Sequence, residues 1–277
     1  MSNLGEVSET LYVPMGGRIY ASERFPNVFY DSKALELKLC IPKEALNDKR
    51  QSQYTFMASA SRCKNIDNCI KHFLKRNPSG IIVELGCGLE TTYFRMDNGQ
   101  ARWYELDLPE VIKFRKNIIP CQERMTLLKA SAFDVNWMDS LSKTVGRHPV
   151  LFVASGVFQY FEEDQVLQLF RDLQRFQNAQ IVFDAVSRLG MNGTRKYMKQ
   201  LGRDSAVMYF YCNKASKLVA KTGQGIYVIN EKDFYRSINK TGMNFMTRIS
   251  MTVSDCMHMV KVVELRLSGD CMLEKIN

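Results

Sequence analysis

Short apolar runs recur through the middle of the chain, and each is closed by a turn. Read by periodicity, they predict strands at 81–85, 102–106, 125–129, 149–154 and 180–184. Stretches of helical spacing lie between them, at 109–117 and 163–177 among others. Strand and helix in alternation predict an α/β fold with a parallel, doubly wound sheet. Ahead of the first strand, residues 51–76 read as a helix ending at Asn77-Pro78-Ser79-Gly80. Residues 1–50 read as irregular, broken by Pro14, Gly16, Gly17, Pro26 and Pro42. In the tail, 231–241 reads as helix, then 243–252 and 257–267 as two strands around Ser254-Asp255. Such a hairpin would give the parallel sheet an antiparallel edge strand. Residues 186–222 break the alternation. They carry Met191, Tyr197, Met198, Met208, Tyr209, Phe210 and Tyr211, and the segment is long for a plain connection. It is read as a lid or substrate-pocket insertion.

The 277 residues, 45% hydrophobic and 24% charged, suit one globular domain with a substantial core. No run of eighteen apolar residues offers a membrane span. The first residues show no basic stretch followed by an apolar one, which argues against a secretory leader. The eight cysteines include no Cys-x-x-Cys pair, and His72, His148 and His258 are far apart, so no metal site is expected. Dispersed cysteines of this kind read as reduced thiols in a cytoplasmic protein. The net charge of +9 is scattered: Lys113-Phe114-Arg115-Lys116 and Arg195-Lys196 with Lys199 each read as a solvated helix face. Neither nucleic acid nor membrane is expected as a partner, and the oligomeric state is left open.

The chemistry centres on the end of the first strand, Ile81-Ile82-Val83-Glu84-Leu85-Gly86-Cys87-Gly88. About twenty residues on, a second strand ends in Asp107. A glycine turn lets the backbone approach a nucleoside, and an acid at that distance accepts hydrogen bonds from its ribose hydroxyls. Position 91, where a dinucleotide fold needs a third glycine, is Thr. Its branched side chain blocks the approach of a diphosphate, so the pattern favours S-adenosylmethionine over a nicotinamide cofactor. Cys87 reads as a small side chain facing that ligand rather than a nucleophile, since the turn holds no histidine.

Longer strings carry a family resemblance. They are Val7-Ser8-Glu9-Thr10-Leu11, Pro14-Met15-Gly16-Gly17-Arg18, Ser61-Arg62, Glu84-Leu85-Gly86-Cys87-Gly88-Leu89-Glu90-Thr91, Tyr104-Glu105-Leu106-Asp107-Leu108-Pro109-Glu110-Val111 and Gly156-Val157-Phe158-Gln159-Tyr160-Phe161. With them the chain resembles the leucine carboxyl methyltransferase and polyketide-synthesis O-methyltransferase family. The resemblance implies a Rossmann-like, seven-stranded class I methyltransferase sheet, mostly parallel with an antiparallel C-terminal strand. Residues 1–78 would form a cap segment and 186–222 the lid of a single domain. The cofactor implied is S-adenosylmethionine. Glu84, Gly86, Cys87 and Gly88 would lie at its methionine and ribose, and Asp107 with Leu108 at the ribose hydroxyls. The alternative for Asp107 is a helix cap ahead of Pro109. Arg62 would pair with the methionine carboxylate. Ser131 and Ala132 fall at the adenine, and Ser131 stands where an acid is usual. Ser155 also replaces an acid found in some members, so the cofactor's ammonium would rest on backbone carbonyls near Ala154 and Ser155. Arg18, Tyr20, Gln159, Tyr160 and Tyr209 are the candidate acceptor-facing groups; Gln159 and Tyr160 would otherwise pack at a helix start. No catalytic residue is assigned, and His148 precedes the fourth strand at the far end of the sheet. The activity implied is O-methyl transfer to a carboxylate or acidic hydroxyl of a small molecule. The alternatives are a binding protein that has lost catalysis and a nicotinamide-dependent reductase.

Overall fold

A computed structural model gives the fold and describes residues 4–42, 51–200 and 208–267. Seven strands form one sheet: β1 (Ile81–Leu85), β2 (Arg102–Asp107), β3 (Met125–Lys129), β4 (Val150–Ala154), β5 (Ala179–Val186), β6 (Tyr227–Asp233) and β7 (Val260–Arg266), in the order β3-β2-β1-β4-β5-β7-β6. The first five pair in parallel, while β7 runs antiparallel to both β5 and β6. Every residue of β1 and β4 is buried, because helices cover both faces. On one face the core is built from α6 (Val135–Val145) and α7 (Glu163–Leu173), and on the other from α3 (Gln53–Arg76). Strand order reverses between β1 and β4, which opens a crevice at their C-terminal ends.

The N-terminal segment differs from its sequence reading. Residues 4–24 are one helix, α1 (Leu4–Arg24), with Pro14 inside it. The glycines there serve packing rather than irregularity. A Cβ on Gly17 would lie 2.6 Å from Ser59 Cβ and 3.0 Å from the Phe56 carbonyl oxygen, so α1 and α3 meet backbone to backbone. After α1 comes the short α2 (Ser32–Glu36), capped by Asp31, whose side chain accepts from the Ala34 amide. The Ser52 side chain caps α3 in the same way.

The C-terminal part is also corrected. Where helix was expected at 231–241, β6 occupies 227–233; where a strand was expected at 243–252, there is a helix, α10 (Phe245–Cys256). No hairpin joins the last two strands. The antiparallel strand sits inside the sheet, and β6 forms the edge. The expected helix at 163–177 ends at Leu173. Within 186–222 the chain forms α8 (Arg188–Gln200) and α9 (Ala215–Val219). Residues 201–207, the side chains of Tyr197 and Met198, and Cys271 lie outside the described residues.

Replacing Gly17 with Val should therefore destabilise the protein. Forcing side-chain atoms into a backbone contact costs about 1–3 kcal/mol, which exceeds the few tenths gained in helix propensity. A lower urea midpoint for Gly17→Val at unchanged slope is the expected outcome, and an unchanged midpoint would show that the helices separate freely.

Candidate functional site

The turn after β1 is pinned to its neighbour. The amides of Gly86 and Cys87 both donate to the Leu106 carbonyl, at 2.8 and 3.0 Å. Gly86 has φ +68°, and a Cβ there would lie 2.8 Å from Val157, so both conformation and space require glycine. Asp107 Oδ2 accepts from the Gly88 amide at 2.7 Å, and Oδ1 from the Leu108 amide at 2.8 Å. The next helix, α5 (Pro109–Lys116), takes Leu108 as its N-cap and has no side-chain cap. Asp107 thus joins the end of β2 to the glycine turn instead of capping the helix. The Ala130 amide donates to the Asp107 carbonyl, which sets Ser131 and half-buried Ala132 beside Asp107 and exposed Leu108. Ser131 Oγ accepts from the Phe133 amide at 3.3 Å. Ala154 closes β4, and half-buried Ser155 follows. In sheet order the strip runs from Ser131 and Ala132 through Asp107 and Leu108, then Gly86 to Gly88, to Ala154 and Ser155.

Arg115 of α5 braces this turn. It donates to Glu105 Oε2 at 2.8 Å and to the carbonyls of Gly88 (3.0 Å) and Glu90 (2.7 Å). Glu84, 3% exposed, is in register with Glu105. Burial, reinforced by the Glu105 charge, pushes the Glu84 carboxyl well above its ordinary range. Glu84 is thus buried within the sheet beside Glu105, where the sequence reading had set it at the ligand. Burial likewise raises the Cys87 thiol and so disfavours its thiolate.

Two expected acceptor-facing residues lie elsewhere. Arg18, 1% exposed, donates to Glu90 Oε1 at 2.6 Å and to the Leu89 carbonyl at 2.7 Å, and its Nε lies 3.3 Å from Asp31. It is a buried structural cation. Arg95, on α4 (Thr92–Met96), joins the same cluster, bonding Asp31 at 2.7 Å and Asp67 at 2.8 Å. Burial favours the neutral acid at Asp31, but Arg95 and Arg18 outweigh it and hold that carboxyl below its ordinary range. At Asp67 burial prevails over Arg95, and the carboxyl is raised. Tyr20 stacks on Phe56, with ring centroids 4.7 Å apart, and accepts from Gln53 Nε2 at 3.1 Å. It lines a separate cleft with Arg24, Phe25 and Asn239.

Arg62 of α3 does reach the crevice. Its guanidinium lies over Gly156, where a Cβ would sit 2.5 Å from Nη1; Gly156 has φ +70°. Asp184, near the end of β5, accepts from the Gly156 amide through Oδ1 at 2.6 Å, and its Oδ2 is 3.9 Å from Arg62 Nη1. Sequence reasoning missed Asp184, although it closes the apolar run Ile181-Val182-Phe183 much as Asp107 closes β2. These residues border a cavity of about 460 Å³. Met208, Phe210, Phe234, Met259 and Val260 form its apolar walls, and Tyr54, Ser59, Gln159 and Ser254 its polar ones. Gln159 donates to the Gly156 carbonyl at 2.9 Å and accepts the Tyr209 amide at 2.8 Å. Tyr160 and Tyr209 are exposed and are not part of the lining. Burial pushes the Tyr235 hydroxyl well above its ordinary range. All three histidines are exposed and outside the cavity; His148 leads into β4 at the opposite end of the sheet. Among the described residues, no cluster of His, Cys, Asp or Glu side chains is placed to hold a metal ion, and no helix is long and apolar enough to cross a membrane.

The model of the leucine carboxyl methyltransferase family matches residues 18–174. The tetracenomycin polyketide synthesis O-methyltransferase TcmP of Streptomyces glaucescens is 28% identical over 182 residues, 65% of this chain and 66% of that protein. The S-adenosyl-L-methionine-dependent methyltransferase dpfgK of Gibberella zeae is 29% identical over 195 residues, 64% of this chain and 65% of that protein. The chain thus spans just under two thirds of the length of these relatives. A DUF574 family protein from Streptomyces avermitilis shares the fold with a TM-score of 0.59 at 11% identity, covering 90% of this chain and 96% of its own.

The raised Glu84 carboxyl makes stability depend on pH. A group whose folded pKa exceeds its unfolded one stabilises fully below the unfolded value and loses that contribution as pH rises toward the folded value. Glu84→Gln has no proton to lose there. Between about pH 5 and pH 8, the urea midpoint of Glu84→Gln should gain on that of the wild-type protein. A gap that stays constant with pH would assign the buried proton elsewhere.

Proposed function

The chain belongs to the leucine carboxyl methyltransferase family, whose cofactor is S-adenosylmethionine, and we propose that it transfers a methyl group to the carboxylate oxygen of a small organic acid. A nicotinamide-dependent reductase is thereby set aside. The observation that carries the proposal is the meeting of the crevice strip with the apolar cavity at the Arg62 end.

The strip fits the cofactor in length and in chemistry. From β3 to β4 it crosses three strand spacings, about 14 Å, which suits a nucleoside joined to an amino acid. Ser131 and Ala132 would face the adenine, and a hydroxyl can accept from its amino group. Asp107 keeps lone pairs beyond those given to Gly88 and Leu108, and would accept from the ribose hydroxyls. The Gly86 turn would let the backbone pass close beneath. Arg62, whose buried Nε has no hydrogen-bond partner among the described residues, would pair with the carboxylate. When bound, S-adenosylmethionine supplies a methyl group already activated by its sulfonium.

The protein's part is alignment and exclusion of water. The apolar walls suit an aromatic or aliphatic body, and the cavity volume suits a small molecule. No histidine lines the cavity, and burial raises the Tyr235 hydroxyl. A nucleophile that arrives ionised needs no base, which favours a carboxylate over a phenol. Gly190 and Gly193 of α8, with Met208 and Phe210, supply one wall, in keeping with a lid role for 186–222 within a single domain capped by 1–78. Gln159 would orient the acceptor, while Tyr160 and Tyr209 would stand at its rim.

Three measurements check this reading. Asp107→Ala should weaken S-adenosylhomocysteine by about 1–3 kcal/mol in calorimetric titration; an unchanged dissociation constant would remove Asp107 from the site. A panel of aromatic and aliphatic carboxylic acids should yield methyl esters, at a rate flat from about pH 6 upward. Cofactor binding without ester formation would favour a binding protein. A loss of more than about a hundredfold in any His→Gln variant would indicate general-base catalysis instead.

A further inference from the structure

The α-amino acid end of S-adenosylmethionine is a zwitterion, so a buried site for it calls for acceptors for the ammonium as well as a cation for the carboxylate. Ser155 carries no charge, and sequence reading left the ammonium to backbone carbonyls. The structure offers a carboxylate instead. Asp184 comes from β5, one strand beyond β4, and its Oδ1 is fixed by the Gly156 amide at 2.6 Å. Its other oxygen, Oδ2, faces Arg62 Nη1 at 3.9 Å. That separation is well beyond the 2.7–2.9 Å or so of a charge-assisted hydrogen bond. Both side chains are largely buried, and among the described residues Arg62 Nε has no hydrogen-bond partner. Two opposite charges are thus held close together, neither satisfied by the other, which is costly out of water.

A zwitterion resolves that arrangement. Its carboxylate would meet the guanidinium and its ammonium Oδ2 of Asp184, each charge finding a partner of opposite sign. Glu90, whose charge also acts on Arg62, is occupied by Arg18 at 2.6 Å and approached by Arg95 at 3.9 Å. Gly156 makes the geometry possible, because any side chain there would displace the guanidinium. Resting on the cofactor reading above, we infer that Asp184 binds the ammonium of S-adenosylmethionine, in place of an acid at position 155.

The test is calorimetric binding of three nucleosides to the wild-type protein and to Asp184→Asn. S-adenosylhomocysteine carries both charges, its des-amino analogue keeps only the carboxylate, and 5′-methylthioadenosine has neither. Asparagine retains an acceptor for the Gly156 amide, and a thermal melt establishes that the variant is folded. Asp184→Asn should weaken S-adenosylhomocysteine by about tenfold or more and leave the other two within about twofold. Equal weakening of all three would make Asp184 a purely structural support, and no weakening would place the ammonium elsewhere; either result overturns the inference alone. Failure of the wild-type protein to bind S-adenosylhomocysteine would overturn the cofactor site itself. As a second readout, Arg62→Ala should weaken the des-amino analogue as well as S-adenosylhomocysteine, which separates the two charges of the site.

Discussion

The buried cluster of Arg18, Asp31, Asp67, Glu90 and Arg95 is the constraint on which the rest of the structure depends. Its members come from α1, the start of α2, α3, the turn after β1, and α4. No pair among them is local in sequence except Glu90 and Arg95. The cluster ties the N-terminal helices to the sheet at the place where the glycine turn leaves it. Buried ion pairs are weak evidence of net stability, because desolvation offsets much of their attraction, but removal of one partner commonly costs about 3–5 kcal/mol. The cluster therefore acts as a lock. It leaves one arrangement of α1 against the turn tolerable and makes the alternatives expensive.

A second arginine fixes the same turn from another direction. Arg18 holds the Leu89 carbonyl from α1, and Arg115 holds the carbonyls of Gly88 and Glu90 from α5. Asp107 adds a third hold through the Gly88 amide. A loop of glycines would otherwise be the least ordered part of the crevice. Here its backbone polar groups are bonded to the Leu106 carbonyl, to the buried Arg18 and Arg115 and to half-buried Asp107, so the conformation is set by the fold. Preorganisation of this kind lowers the entropy lost on binding.

The central strands β1 and β4 were legible because they are buried on both faces and read as nearly unbroken apolar runs; the reading 81–85 coincides with β1. The Gly86 turn and Asp107 were legible because strand, turn and acid follow in order. The C-terminal elements were exchanged for a physical reason. β6 is an edge strand whose residues are mostly exposed, so the charged stretch Asn230-Glu231-Lys232-Asp233 carries no alternation. In α10, Phe245, Met246, Ile249 and Val253 are exposed, and Thr, Ile and Val are frequent, so its composition mimics a strand. Pro14 and Gly17 read as punctuation because helix packing is invisible to a local rule. Arg18 looked like a ligand contact for a related reason: its partners lie at positions 31, 89 and 90, and no spacing announces them. Asp184 had a signal of its own, the acid closing an apolar strand, but the family pattern drew attention to position 155 instead.

The placement of β7 bears on how the chain folds. β6 touches the sheet only through β7, which follows it in sequence but lies between it and β5. During synthesis, β1 to β5 can assemble in order, each parallel strand laid against one already present. β6 cannot. It must wait unpaired while α10 and then β7 emerge, and only the insertion of residues 260–266 gives it a place. Completion of the sheet is thus a single late event that seats two strands together, and a chain ending before residue 260 would lose both. Until that event the hydrogen-bonding edge of β5 is open, which is the moment of greatest risk of pairing with another chain.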